Sequence, residues 1–174
     1  MTHRFPSVTW MVFLLSVLWW AAIAAPPALH AGGYHTGAAL LRLSFHPICH
    51  QIPARSFSFG DHPLAVCARC TGIYGGFLIG CLAALVTTRR RAAACKPAGG
   101  TLLVVAAVPT ALQWSLSRVE WIPDLALHRA VLGSLLGFAG AFQLLPALHG
   151  LAGEVADRRK RRSLSKGTIH VGST

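Results

Sequence analysis

Four apolar runs dictate what this chain can fold into, because each is close to the ~20 residues an α-helix needs to cross ~30 Å of hydrocarbon. They cover residues 8–25 (VTWMVFLLSVLWWAAIAA), 71–88, 101–116 and 125–148, and the third, the shortest, contains Pro109. None of the five carboxylates (Asp61, Glu120, Asp124, Glu154, Asp157) falls in the core of a run, as the penalty for burying charge in lipid requires. Trp10, Trp19, Trp20, Trp114 and Trp121 lie mostly toward the run ends, where amphipathic rings meet the membrane surface. Of 174 residues, 53% are hydrophobic and only 12% charged, about half the charged share of a soluble domain. The fold class read from this is all-α: a polytopic membrane bundle of about four transmembrane helices with the lipid bilayer as its surroundings.

The net charge of +11 and a pI near 10.8 would point to nucleic acid in a soluble protein. Here the basic residues sit in blocks beside apolar runs, and no nucleic-acid-binding motif occurs, so no nucleic-acid partner is expected. Counted by alternate loops, eleven Lys and Arg fall on one side and five on the other. The positive-inside rule then puts both termini in the cytoplasm and residues 26–70 outside. Residues 1–30 read as a first transmembrane helix, with a signal peptide cleaved near Ala22–Ala24 as the rival. Residues 31–150 hold a Cys/His loop and three further helices. Residues 151–174 form a basic tail, "DRRKRRSLSK" at its centre, expected to be disordered and to touch anionic lipid.

Two runs carry small residues at helical spacing. Gly72, Gly76 and Gly80 are four apart, as are Gly133 and Gly137, with Gly140 near the same face. In lipid, where packing drives association, such faces let helices approach closely, so the second and fourth runs are expected to touch. Gln113 and Gln143 are polar points expected to bond across the bundle. Cys81 reads as an inert buried thiol and Cys95 as a free cytoplasmic one.

The chemistry concentrates in "FHPICHQIPARSFSFGDHPLAVCARC", residues 45–70. Cys67-x2-Cys70 offers two thiolates to one cation, and a short pair supplied from a distance would complete a tetrahedral site. Cys49 with either His46 or His50 fits, and His62 is a further candidate. A thiol-redox reading competes. A helix N-terminus and Arg69 would both lower a thiol pKa beside Cys67 and Cys70, and Cys49 could exchange with that pair. A structural disulfide is a third reading, though it leaves one thiol over. Arg55 and Ser56 lie between the two halves, as a solvated turn or, with Arg69, as contacts for an anion or substrate.

At these residues the chain resembles the bacterial and archaeal membrane proteins grouped as domain of unknown function 2085. The resemblance rests on Cys49, His50, Gln51, Arg55, Ser56, Phe57, Cys67, Arg69, Cys70, Thr71, Gly72, Ile73 and Tyr74, and continues loosely to about residue 145. It implies a multi-pass protein of a bacterial or archaeal cytoplasmic membrane and favours His50 over His46 as the fourth ligand. Two polar family positions differ here: Pro109-Thr110 replace Asp-Gly, and Ala126 replaces Asn, while Gln113, Arg129, Gly133 and Gly137 are kept. The resulting expectation is a structural site for Zn²⁺ or another thiophilic metal on Cys49, His50, Cys67 and Cys70. The alternatives are a quinone-linked thiol-disulfide oxidoreductase and a transporter of a small solute or metal.

Overall fold

The computed structural model describes residues 5–88, 100–118 and 125–169. Cys95, Trp121, Glu120 and Asp124 lie outside them, as do Arg89, Arg90, Arg91 and Lys96. Among the described residues five helices form: α1 (Phe5–Ala31), α2 (His35–Phe45), α3 (Ala68–Thr88), α4 (Thr101–Arg118) and α5 (Ala126–Ile169). Between α2 and α3 come a single 3₁₀ turn (Pro53–Arg55) and a two-strand hairpin, β1 (Ser58–Phe59) and β2 (His62–Pro63). The architecture is a helical membrane bundle. Three stretches are long and apolar enough to span: Ser7–Ala31, Ala68–Thr87 and Ala126–Arg161. The apolar part of α4, Thr101–Ser117, is shorter.

Most of the apolar side chains have no protein cover. Leu18, Val105 and Leu127 are 66%, 62% and 65% exposed, a surface that suits lipid and not water. Buried apolar side chains gather in two small clusters. One holds Ile23, Phe45, Cys49, Ala65 and Val66. The other holds Cys81, Ala141 and Leu145, with Val12, Phe13 and Phe77 against it.

The two clusters are joined by α3 and α5, whose backbones meet. A Cβ on Gly72 would run into the carbonyl of Ala130, and one on Gly76 into that of Ser134. From the opposite helix, a Cβ on Gly133 would meet the carbonyl of Arg69 and one on Gly137 that of Ile73. Only hydrogen fits between these helices, which is why the four-residue spacing of small side chains recurs on both. Gly140 differs from the sequence expectation: its Cβ would face open space. Cys81 is fully buried, as the sequence suggests.

Two boundaries also differ from the sequence reading. The first apolar run ends at Ala25, where Pro26-Pro27 reads as a stop, but the helix passes through both prolines to Ala31. A proline within a helix frees the carbonyl four residues earlier, and Pro27 frees that of Ile23. The backbone N–H of Ala65 donates to this oxygen at 3.1 Å, so the freed group is satisfied from the loop. At the other end, α5 continues through the basic segment to Ile169, where the sequence suggests disorder. Its Ala, Leu, Glu, Arg and Lys are strong helix formers.

Candidate metal centre

Cys49 and the pair Cys67 and Cys70 arrive from different segments, and three devices bring them together. The first is the end of α2. The N–H of Cys49 donates to the carbonyl of Phe45 at 3.0 Å, closing the last turn with Phe45 and Cys49 buried on one side. The second is Gln51, which adopts a left-handed conformation (φ 50°). That conformation is uncommon outside glycine and turns the chain sharply. Its side-chain amide donates to the carbonyls of Arg42 and Ala65. One residue thereby ties the end of α2 to the segment that enters α3. The third is the Ala65–Ile23 bond to α1. The hairpin between these ties is closed by Gly60-Asp61, with Gly60 at φ 60°, the positive φ such short loops demand.

The three sulfurs lie within 4.8 Å of one another. Cys49 is buried, and Cys67 and Cys70 are partly exposed. The backbone N–H of Cys67 donates to the Cys49 sulfur at 3.2 Å. Such bonds favour a thiolate over a thiol. The Cys67 thiol is lowered to about 5, first by the hydrogen bond from the Cys70 thiol. The N–H of Cys70, the Cys49 thiol and the N–H of Arg69 act in the same direction, against the opposing effect of burial. Ile23, Ala65 and Val66 pack beside the sulfurs, with Tyr74 against the same cluster. Trp19 stands edge-on to Phe45 and to Tyr74, with ring centroids 5.2 and 5.8 Å apart. A half-buried cluster of soft ligands of this kind could hold a thiophilic metal ion.

The other predicted residues separate. His50 is exposed and does not join the sulfur group, although it adjoins Cys49. His46 is also exposed. His62 lies elsewhere, its ring stacked on that of His30 at 4.4 Å. Ser56 donates to the carbonyl of Ile52 at 2.9 Å, a turn bond, and Arg55 closes the 3₁₀ turn before it. Arg69 reaches the opposite way along α3 and donates to the side-chain oxygen of Gln113 on α4. Gln113 is only 6% exposed, so it bonds across the bundle as the sequence suggests. Gln51 is the residue whose role the sequence does not disclose. Its place beside Cys49 and His50 was visible, but not its two carbonyl partners.

The comparisons with known proteins agree with this picture at the level of class. An uncharacterized protein of Methanocaldococcus jannaschii is 33% identical over 99 residues, which is 57% of this chain and 62% of that one. An uncharacterized protein of Methanothermobacter thermautotrophicus is 56% identical over 34 residues, 20% of this chain and 31% of that one. The chain thus spans less than two thirds of the length of either relative. No solved structure matches it. The pattern of a family described as "Predicted membrane protein (DUF2085)" matches residues 49–142, from the first thiol of the centre to the middle of α5 and over more than half of the sequence. The chain belongs to this family of predicted membrane proteins.

Proposed function

We propose that the protein is an integral membrane protein whose Cys49, Cys67 and Cys70 thiolates bind Zn²⁺ or a similar thiophilic ion, with His50 turning inward to close a four-ligand site. The observation that carries this reading is the convergence of three sulfurs, from two segments eighteen residues apart in sequence, within 4.8 Å. The ion's role is structural: it fastens the loop after α2 to the start of α3. A closed site suits that role, since catalytic zinc keeps a coordination position open.

The test is metal content and free-thiol count on the full chain purified in mild detergent without reductant or chelator. One ion per chain is expected, with the three thiols masked until chelation. Cys49→Ser is expected to lose the bound ion, and His50→Ala to weaken binding while the thiols stay masked. Full occupancy in Cys49→Ser would sink the proposal.

A second reading is supported by the low Cys67 thiol at the very start of α3. A thiolate at a helix N-terminus beside a second cysteine is the arrangement of thiol-disulfide exchange, here in a quinone-linked oxidoreductase. It predicts a metal-free chain in which two thiols appear only after reduction. It also predicts that a single Cys70→Ser change traps a mixed disulfide with a substrate protein.

A further inference from the structure

A second group of ligand-bearing side chains lies apart from the sulfurs. The C-terminus of α1 ends on a left-handed glycine, Gly33 at φ 81°. The N–H of Tyr34 donates to the carbonyl of Leu29 at 2.8 Å, and that of Gly33 to His30 at 3.1 Å. This is a Schellman-type reversal. It sends the chain straight back on itself, so that His35, the first residue of α2, meets His30, in the last turn of α1. Their Nδ1 atoms are 3.0 Å apart. The hairpin brings in a third imidazole: the His62 ring lies flat on that of His30, with centroids 4.4 Å apart and planes 6° from parallel. Three histidines from three elements thus share one spot on the surface.

We propose that His30, His35 and His62 form a second cation site, selective for a borderline divalent ion such as Zn²⁺ bound through imidazole nitrogen. The distances support it. Metal–nitrogen bonds of about 2.0–2.1 Å in a tetrahedron place two ligand nitrogens about 3.3 Å apart, a few tenths of an ångström more than the Nδ1 pair shows. Two nitrogens that close must share a proton or share a cation. Stacked rings hold their nitrogen lone pairs in parallel planes, so His62 must turn off the His30 ring to aim a nitrogen at the same point; His35 is exposed and the other two rings are partly so. Imidazole suits zinc, copper and nickel, whereas calcium and magnesium prefer oxygen. Partly exposed imidazoles with no thiolate among them make this a weaker, exchangeable site than a closed thiolate one. The histidine site shares no ligand with the sulfur centre, and neither His30 nor His35 falls within the family match at residues 49–142.

Co²⁺ separates the two sites by colour, because thiolate ligands add intense near-ultraviolet charge-transfer bands and imidazole ligands leave only weak visible ones. The full chain in detergent is titrated with Co²⁺, and Zn²⁺ binding is followed by equilibrium dialysis. One equivalent is expected without charge-transfer bands, retained in Cys67→Ser, and weakened about tenfold or more in His35→Ala and in His62→Ala. His46→Ala is expected to bind as the parent does. Unchanged binding in either His35→Ala or His62→Ala overturns the proposal, as does a parent chain whose only cobalt is thiolate-bound. If the sulfur centre holds no metal, the charge-transfer bands vanish while the histidine-dependent binding remains, so the two assignments fail separately. Should His35→Ala not fold, as judged by circular dichroism, the exposed His35→Asn and His62→Ala decide.

Discussion

The two seams that α5 makes with its neighbours are built on opposite plans. Against α3 it presents glycines, and backbone meets backbone with no room for a methyl group. Against α4 it presents leucines and valines, and the fit is poor. An apolar groove of about 530 Å³ remains there, lined by Pro109, Leu112, Leu127, His128 and Val131. What secures α4 is polar. Arg69 of α3 donates to Gln113, and Thr110 donates across the seam to the carbonyl of Leu132 at 3.3 Å. The contrast shows two ways to associate helices where water exclusion contributes little. Close contact secures the pair that begins beside the thiols, and a few hydrogen bonds hold the helix that does not touch them.

The comparison breaks most directly at Gly76. Gly76→Leu must push α3 off the Ser134 carbonyl, and it is expected to destabilise the bundle by about 3 kcal/mol or more, read from unfolding in a titration of SDS into mild detergent. Gly140→Leu, facing open space, is the control and should stay within about 0.5 kcal/mol of the parent. Equal effects from the two would mean that added side-chain bulk as such, and not the α3–α5 backbone contact, sets stability.

The polar seam is expected to yield less. Gln113→Leu removes the acceptor for Arg69 and is expected to lose about 1–3 kcal/mol, with α4 loosening before the α3–α5 pair. Gln113→Glu, which makes the bond charge-assisted, should recover most of it. A loss in Gln113→Glu as large as in Gln113→Leu would show that the bond is not what holds α4. Next comes Gln51→Ala, which unties α2 from the segment before α3 and should lose about 1–2 kcal/mol. The same change should speed alkylation of metal-free Cys49, because that thiol is buried only while the loop is held. The smallest effect belongs to Thr110→Val. One hydroxyl bond across membrane helices contributes about 0.6 kcal/mol, and a change beyond about 2 kcal/mol would place Thr110 at the centre of the seam.

Much of this was legible in the residues. Uninterrupted apolar runs need no tertiary knowledge to be read as membrane helices, and the four-residue period of Gly72, Gly76, Gly133 and Gly137 predicts the α3–α5 contact directly. The cysteines could be grouped because a C-x2-C pair demands a partner. What stayed hidden depends on contacts distant in sequence. Pro26-Pro27 looked like a stop because the acceptor it frees is filled by Ala65, thirty-eight residues beyond Pro27. The eleven-residue α2 was submerged in the loop because it is too short for a span. Gly140 looked like its neighbours because three-residue and four-residue steps diverge around a helix. His30, His35 and His62 have no shared spacing, and only the reversal at Gly33 and the hairpin at Gly60 make them neighbours.

The carbonyl that Pro27 leaves open on Ile23 has a mechanical consequence. A proline usually weakens a helix, but here it makes a socket that no residue of α1 itself can fill. With the Ala65 amide seated in it, α1 and the segment leading to Cys67 are coupled as one lever. A slide or roll of α1 must carry Ala65 with it, and the nearest sulfur lies only two residues further on.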